Sequence, residues 1–298
     1  MNYRQLGVSD LRISELSFGC MSLEKDLLIS KDIIYTAIDN GINYFDTADI
    51  YQNGENEEML GKLIRDFRKD IVIATKVGNE YRKDGTGWDW NPKKSYIISA
   101  IEKSLKRLQT DYIDLYQLHG GTIDDTIDET IDAFESLQKQ GKIRYYGISS
   151  IRPNVIREYI KRSNIISVMI QYSLLDRRAE ESCLDLLYDN NIGVLTRGTL
   201  AKGLLAGKPA ADYLDYTITE VSETIKILKK VSGKQRSLSQ TAVSFVLKNR
   251  ATTSVVVGAS RKKQLIECLG ISTVPPLSDT ELKLLKESNK VYKYLKHR

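Results

Sequence analysis

Cysteine and histidine are scarce in this sequence, and their scarcity argues against whole classes of protein. The 298 residues include three cysteines and two histidines. Cys20, Cys183 and Cys268 are scattered and odd in number, so they fit neither a disulfide framework nor a zinc site and are typical of a reducing compartment. The two histidines, His119 and His297, argue against a metal site built on several imidazoles, and nothing in the spacing of the carboxylates indicates magnesium. We therefore expect a cytoplasmic protein without a metal centre.

Long apolar runs and dense charge runs are also missing. No stretch of about eighteen apolar residues occurs, so no membrane span is predicted, and the polar N-terminus, MNYRQLGVSDLR, lacks the apolar segment of a signal peptide. The formal net charge is +5, and the basic tail Lys290–Arg298 is short and typical of a solvated helix end. We expect neither a membrane nor a nucleic-acid partner. The oligomeric state stays open because no heptad repeat is present.

What the sequence does contain is a regular alternation of short apolar runs and amphipathic segments. The apolar runs, which suit strands buried on both faces, are Leu16–Cys20, Ile42–Phe45, Ile71–Thr75, Ile113–Leu118, Tyr145–Ile148, Val168–Gln171, Gly193–Leu195 and Ser254–Val257. The helical patterns between them are Ser30–Asn40, Glu55–Arg65, Lys93–Leu108, Thr126–Gln140, Pro153–Lys161, Arg177–Asn190, Thr219–Val231 and Leu238–Asn249.

This alternation predicts an α/β fold, a (β/α)8 TIM barrel that forms a single domain over residues 1–298. An N-terminal β-hairpin is expected from Tyr3–Leu6 and Leu11–Glu15, and extra C-terminal helices are expected from Lys262–Leu269 and Ser278–Leu295. The alternative is a doubly wound open sheet. It is disfavoured because no G-x-G-x-x-G motif follows the first strand.

Four polar residues follow three successive strands of this predicted barrel. Asp46 and Tyr51 follow the second strand, Lys76 follows the third and His119 follows the fourth. The C-terminal ends of barrel strands share one face, where barrel enzymes have their active sites. Each residue alone has an ordinary structural interpretation, as a packing tyrosine, an ion pair or a core histidine. Their joint arrival at three successive strand ends favours a functional site.

The four residues suit the reduction of a carbonyl group. A carbonyl that accepts a hydride also needs a proton on its oxygen, and a free tyrosine, with a pKa of about 10, is a slow acid at neutral pH. A neighbouring ammonium favours the tyrosinate form. Lys76 is the available ammonium, and Asp46 is its counter-charge. His119 would orient the carbonyl oxygen or relay a proton, so Tyr51 is the predicted general acid.

Several segments resemble the motifs of the aldo-keto reductase family, in the same order along the chain. They are GINYFDTADIYQNGENEEMLGKLI, IVIATKVG, SLKRLQTDYIDLYQLH, GKIRYYGISS, GVLTRGTLAKGLLAGK and VVVGASRKKQL. The resemblance covers nearly the whole chain, and it is strongest to the bacterial barrel-type NADP-dependent oxidoreductases of the family. It implies that Asp46, Tyr51, Lys76 and His119 match the catalytic tetrad. The implied activity is NADPH-dependent reduction of an aldehyde or a ketone to an alcohol.

The resemblance also implies a nicotinamide cofactor that lies extended across the barrel top without a Rossmann domain. The matching cofactor positions are Ser149, Ser150, Gln171, Arg197, Gly198, Thr199, Leu200, Gly258, Ala259, Ser260, Arg261, Gln264 and Cys268. From the residues themselves, a helix that begins near Arg261 offers backbone amides to a phosphate, and Lys262 and Lys263 add positive charge. The alternative is a solvated basic helix start. Because a 2′-phosphate is doubly charged near neutrality, we expect NADPH rather than NADH.

The sequence departs from the family pattern at several positions. Ser150 and Cys268 stand where relatives commonly carry Asn, and Arg197 stands where many carry an aromatic residue that stacks on the nicotinamide. An oxidised nicotinamide ring is cationic and repels a guanidinium. Arg197 is therefore expected to reach the pyrophosphate or the substrate, or else to pair with a neighbouring carboxylate. The pair Gly120-Gly121 would widen the pocket floor or let backbone approach the substrate.

Two long loops are predicted after strands of the barrel. The loops Gly78–Asn91 and Leu200–Ile218 are expected at the active-site face. The first carries Tyr81, Trp88 and Trp90, which either line a substrate pocket or anchor the loop.

The fold and the tetrad are also compatible with a cofactor-sensing regulatory or binding subunit with little turnover. A barrel hydrolase would need a paired-carboxylate or metal site, and the tetrad explains the candidate residues better.

Overall fold

The centre of the molecule is a closed barrel of eight parallel strands. The computed structural model describes residues 1–82 and 84–298, and Lys83, inside the predicted loop Gly78–Asn91, lies outside the described residues. The strands are β1 (Tyr3–Gln5), β2 (Arg12–Ser14), β3 (Leu16–Gly19), β4 (Tyr44–Asp46), β5 (Val72–Val77), β6 (Asn79–Tyr81), β7 (Trp88–Trp90), β8 (Ile113–Leu118), β9 (Ile143–Ser149), β10 (Ser167–Gln171), β11 (Gly193–Arg197) and β12 (Thr252–Val257).

The predicted (β/α)8 barrel is confirmed. Strands β3, β4, β5, β8, β9, β10, β11 and β12 pair in that order, and β12 pairs back onto β3. The helices are α1 (Leu27–Asp39), α2 (Glu55–Ile64), α3 (Lys94–Leu108), α4 (Ile127–Lys139), α5 (Pro153–Arg162), α6 (Cys183–Asp189), α7 (Ile218–Ser232), α8 (Leu238–Leu247), α9 (Lys262–Leu269) and α10 (Asp279–Lys286). Both α7 and α8 lie between β11 and β12, α9 packs beside α1, and α10 packs against α7.

Three helix boundaries differ from those predicted by more than two residues. Helix α6 begins at Cys183 rather than Arg177, because residues 178–181 form a separate 3-10 turn. Helix α1 begins at Leu27 rather than Ser30, because the Asp26 side chain caps it by accepting from the backbone N–H groups of residues 28 and 29. Helix α10 ends at Lys286, far short of the predicted Leu295. Beyond it, Asn289 donates to the Leu174 carbonyl oxygen at 2.8 Å, so contacts with the barrel side hold this segment out of a helix.

The barrel interior is filled with apolar side chains, and the N-terminal hairpin closes its lower end. Leu6 and Ile13, which flank the hairpin strands or lie within them, are buried against interior residues of the barrel such as Leu115, Met169 and Leu195. Because the lower end is plugged, the upper end, where the strands finish, is left for a binding site.

The segment after β5 forms a short antiparallel hairpin of β6 and β7 rather than an irregular loop. Trp90 anchors it: the indole nitrogen donates to Asp125 at 2.9 Å, and the ring lies where side chains at Gly78 and Gly120 would be. A Cβ at Gly78 would be 2.7 Å from the indole ring. The two glycines thus make room for an anchor.

In the described part of the chain, no helix is both long enough and apolar enough to cross a membrane.

Candidate active site

Asp46 and Lys76 form a buried ion pair at the upper ends of β4 and β5. The Lys76 Nζ also donates to the Thr47 carbonyl oxygen at 2.6 Å, and Gln117 of β8 donates to the second Asp46 oxygen at 3.2 Å. Burial alone lowers the pKa of Lys76, but the negative charge of Asp46 and the contact with Tyr51 outweigh it and raise the pKa. The lysine therefore remains an ammonium.

Tyr51 lies against this ion pair, at the start of a left-handed turn. Its hydroxyl oxygen is 3.4 Å from Lys76 Nζ, which donates to it. Gln52, Asn53 and Gly54 have φ values of 52°, 56° and 87°. Residues other than glycine rarely adopt this conformation, and such strain clusters at functional sites. The turn follows directly after the phenol and fixes its position over the lysine.

His119 completes the group from the end of β8. Its ring meets Tyr51 edge-on, with ring centroids 5.8 Å apart. Burial, helped by the charges of Lys76 and Arg197, lowers the pKa of His119 to about 3. The imidazole is therefore neutral at physiological pH. Its Nδ1 is buried and has no hydrogen-bond partner in the part of the chain that the structure describes, which leaves Nε2 as the nitrogen with access to the pocket that the ring lines.

The tetrad lines an open pocket of about 910 Å³ at the upper end of the barrel. Beyond the tetrad, the pocket has three cationic residues, Arg152, Arg197 and Lys202, and of the described residues one further acid, Asp212. Asp212 accepts from the Ile218 backbone N–H at 2.6 Å. The pocket thus has an excess of positive charge and suits anionic groups.

The sequence-predicted cofactor positions divide into two sets. Those that line the pocket are Ser149, Ser150, Gln171, Arg197, Gly198 and Gly258, and those that do not are Thr199, Leu200, Ala259, Ser260, Arg261, Gln264 and Cys268. In the second set Thr199 is buried and donates to the Tyr172 carbonyl oxygen at 3.3 Å. Burial raises the pKa of the Cys268 thiol to about 12.

The start of α9 already has a partner for its backbone amides. The Gln264 side-chain oxygen accepts from the N–H groups of Ser260 and Arg261 at 3.0 and 3.2 Å. A phosphate bound there would replace that side chain. Lys262 is paired with an aspartate of α1 at 2.8 Å. Arg261 and Lys263 are exposed, and neither forms an ion pair within residues 1–82 and 84–298, so their charges remain available to a ligand.

Arg197 bonds a neutral amide. Its Nη1 donates to the Gln171 side-chain oxygen at 2.8 Å, and the Gln171 nitrogen donates in turn to Asp176 at 2.8 Å. Asp176 is itself paired with Arg178 at 2.8 Å. In the described residues Arg197 has no ion pair with the neighbouring carboxylate, which was one of the two expectations for it. Arg197 lines the pocket, so its positive charge contributes to the pocket.

A buried ion pair behind the tetrad was missed by sequence reasoning. Glu57 of α2 is fully buried, accepts from the Thr75 hydroxyl at 2.6 Å and pairs with Arg107 of α3 at 2.6 Å. Arg107 also packs under Gly54, where a Cβ would lie 2.7 Å from its side chain. Thr75 immediately precedes the tetrad lysine, and Gly54 ends the turn that follows the tetrad tyrosine. The Glu57–Arg107 ion pair therefore helps to hold both Lys76 and Tyr51 in position.

Asp49 lies beside this ion pair. Burial raises the pKa of Asp49 to about 7, and the Glu57 charge adds to the effect while Arg107 opposes it. Its backbone N–H donates to the Lys76 carbonyl oxygen at 3.3 Å, and one side-chain oxygen is buried with no hydrogen-bond partner among the described residues.

The profile of the Aldo/keto reductase family matches residues 15–290. This chain belongs to that family. It is 48% identical to the uncharacterized oxidoreductase YqkF of Bacillus subtilis, with all of both chains covered. The solved holo form of the aldo-keto reductase AKR11C1 from Bacillus halodurans is 48% identical, covers 100% of this chain and 99% of its own, and has a TM-score of 0.94. A probable voltage-gated potassium channel subunit beta of Arabidopsis thaliana is 30% identical, with 93% of each chain covered.

Membership makes this protein an oxidoreductase of carbonyl groups, and aldo-keto reductases bind a nicotinamide cofactor. The donors of the pocket fit such a group. Ser149 and Ser150 place hydroxyls at the end of β9, which suits a nicotinamide amide, and Arg197 and Lys202 place cations where β11 ends, which suits phosphates.

Proposed function

We propose that this aldo-keto reductase reduces an aldehyde or a ketone to an alcohol with NADPH, and that Tyr51 donates the proton. The observation that carries the proposal is the distance of 3.4 Å between Lys76 Nζ and the Tyr51 hydroxyl oxygen, inside a pocket shared with a neutral His119. When bound, the reduced nicotinamide supplies the hydride, while the protein supplies the proton and the geometry.

Each tetrad residue then has a separate task. Lys76 stabilises the negative charge that develops on the Tyr51 oxygen as its proton moves to the substrate. Asp46 is the counter-charge that keeps the buried ammonium in place. His119 donates its Nε2–H to the carbonyl oxygen, because an N–H on the buried Nδ1 would have no acceptor within residues 1–82 and 84–298. General-acid assistance of this kind accelerates a reaction by about 10²–10⁴.

The choice of NADPH over NADH rests on the exposed charges of Arg261 and Lys263 at the start of α9. The expected effect of Arg261→Gln is a higher dissociation constant for NADPH and an unchanged one for NADH, both measured by fluorescence titration. Equal changes for the two cofactors would assign Arg261 no role in reading the 2′-phosphate.

A cofactor-sensing regulatory subunit is the second candidate. It is favoured by the similarity to a protein named as a probable voltage-gated potassium channel subunit beta. A protein of this kind would bind NADPH in the same pocket, but it would turn over slowly or not at all.

Absorbance-monitored NADPH consumption over a panel of aldehydes, ketones and diketones separates the two candidates. We expect turnover by the wild type, and we expect Tyr51→Phe to abolish it while NADPH still binds. The matched control is Tyr81→Phe, which removes a hydroxyl that donates to the Ile50 carbonyl oxygen at 2.5 Å outside the pocket. Normal turnover by Tyr51→Phe would show that Tyr51 is not the proton donor. Tight NADPH binding without any turnover by the wild type would support the regulatory candidate.

A further inference from the structure

Arg152 lines the pocket on the side of His119. It follows β9, and its Nη1 reaches back to donate to the carbonyl oxygen of Gly121, two residues beyond His119. The predicted cofactor positions run in the opposite direction around the barrel, from the end of β9 through β10 and β11 to β12. The guanidinium therefore lies on the arc of the pocket that holds the tetrad, where the substrate has to sit.

No acid of the pocket neutralises this guanidinium. In the described part of the chain Arg152 forms no ion pair, although Asp125 lies on the same side. The Asp125 oxygens accept from the Thr122 backbone N–H at 2.7 Å and from the Trp90 indole at 2.9 Å. A guanidinium has five N–H donors, and within residues 1–82 and 84–298 the side chain of Arg152 donates only to the Gly121 carbonyl oxygen. Because the residue lines the pocket, its other donors are left for a ligand there.

The floor beside Arg152 has no side chain to cover it. Gly120 and Gly121 have φ values of 142° and 112°, which residues with a side chain rarely adopt. A Cβ at Gly121 would lie 3.1 Å from Val155 and one at Gly120 would lie 3.3 Å from Trp90, so a side chain at either position would also press on its neighbour. This leaves space beside a charged group that has no partner of opposite sign among the residues the structure describes.

We propose that Arg152 binds an anionic group of the substrate, a carboxylate or a phosphate, so that the preferred substrates are aldehydes or ketones that carry such a group. The inference rests on the proposed function, since it concerns the substrate of that same site. The planar guanidinium matches two oxygens of a carboxylate or a phosphate at once. Anchoring the anion also fixes the orientation of the carbonyl toward Tyr51 and His119.

The first test compares charged and neutral substrates of equal length. We expect kcat/KM for succinic semialdehyde to exceed that for butanal by about 10-fold or more, or that for glyceraldehyde 3-phosphate to exceed that for glyceraldehyde by a similar factor. In Arg152→Gln the ratio should fall close to one, chiefly through KM. Arg152→Lys should keep part of it, because a point charge remains. The matched control is Arg157→Gln, at an exposed arginine of helix α5, which begins directly after Arg152; Arg157 lies outside the pocket, and its variant should keep the wild-type ratio.

The second test is independent of turnover. Succinate and inorganic phosphate are titrated calorimetrically into the NADPH-loaded protein, and Arg152→Gln should weaken the better-bound anion by about 10-fold or more. Tighter binding of succinate identifies a carboxylate substrate, and tighter binding of phosphate identifies a phosphorylated one. Equal anion affinities in wild type and variant overturn the inference, as does a loss of NADPH affinity in Arg152→Gln. Anion binding that depends on Arg152 without turnover of any aldehyde overturns the proposed function alone.

Discussion

Removal of the Lys76 charge tests the electrostatic account of this site most directly. Lys76→Met keeps the apolar stem but removes the ammonium 3.4 Å from the Tyr51 oxygen. Two unit charges at that distance attract each other by about 5 kcal/mol at an effective dielectric constant of about 20. If that attraction is realised only as the phenol gives up its proton, the variant should lose about 10³–10⁴ in kcat. This estimate lies in the upper part of the range of about 10²–10⁴ for general-acid assistance.

The single variant has a second effect that must be separated from the first. It leaves the Asp46 carboxylate buried and unpaired, which costs about 3–5 kcal/mol of folding stability. The double variant Lys76→Met, Asp46→Asn removes both charges, and replacing a buried ion pair by neutral groups is often neutral for stability. We therefore expect the double variant to unfold near the wild-type urea concentration while its activity stays lost.

The assay is single-turnover oxidation of NADPH with a saturating aldehyde, together with urea unfolding and a fluorescence titration of NADPH. Lys62→Met, at an exposed position of α2, is the matched control and should change neither rate nor stability by much. A double variant that folds as well as the wild type and reduces the aldehyde at more than about a tenth of its rate would refute the reasoning, because a tenfold loss corresponds to only about 1.4 kcal/mol.

Three further changes have outcomes that follow from the described contacts. The folded pKa of Asp49 is raised to about 7 by burial, so the native carboxyl binds more protons than the unfolded one between about pH 4 and pH 7, and stability falls as the pH rises through that window. Asp49→Asn should remove this fall, and urea unfolding at about pH 5 and about pH 8 measures it; an unchanged slope would contradict the assignment. Gly78→Ala places a Cβ 2.7 Å from Trp90 and should cost about 1–3 kcal/mol by thermal unfolding. Gly85→Ala, whose added Cβ would have no neighbour within 4 Å among the described residues, should cost less, and equal losses would rule out the clash. Arg197→Tyr should reduce the preference for NADPH over NADP⁺ in binding, because the guanidinium repels the oxidised ring; an unchanged ratio of dissociation constants defeats the idea.

The barrel is predictable from the sequence because its strands are buried on both faces. Strand β8 coincides with the predicted Ile113–Leu118 run. Strand β5 continues to Val77, two residues past the predicted end at Thr75, because Lys76 is a charged residue that an apolar pattern cannot include. Its burial depends on an ion pair with another strand.

Secondary structure is harder to predict from a local sequence pattern where contacts with distant residues determine the conformation. Asp84-Gly85 is a hairpin turn signal inside the segment predicted as a loop, and β6 and β7 flank it. The sequence has a helical pattern through Leu295, but the Tyr216 hydroxyl donates to the Lys290 carbonyl oxygen at 2.6 Å. This bond holds the segment around Lys290 against the loop Leu200–Ile218. Contacts between distant residues decide both cases.

The tetrad is predictable because each member follows a recognisable strand. Glu57 is not, since an acid in a charged helical segment ordinarily faces solvent. Its burial depends on Arg107, 50 positions later in the chain. Whether a cation of the pocket faces the cofactor or the substrate can be assigned only once the order of the strands around the barrel is known. For this reason the sequence alone did not point to Arg152.

The pairing of β12 with β3 has a consequence for synthesis on the ribosome. The Arg4 side chain donates to the Thr252 carbonyl oxygen across 248 positions, so β3 and the hairpin before it must wait for a segment synthesised much later before their contacts are complete. Until then, β3 and β11 are open edges that invite pairing with other chains. A nascent chain that stalls before β12 is thus an aggregation hazard, and the interval between exposure of β3 and arrival of β12 is when a chaperone would matter most.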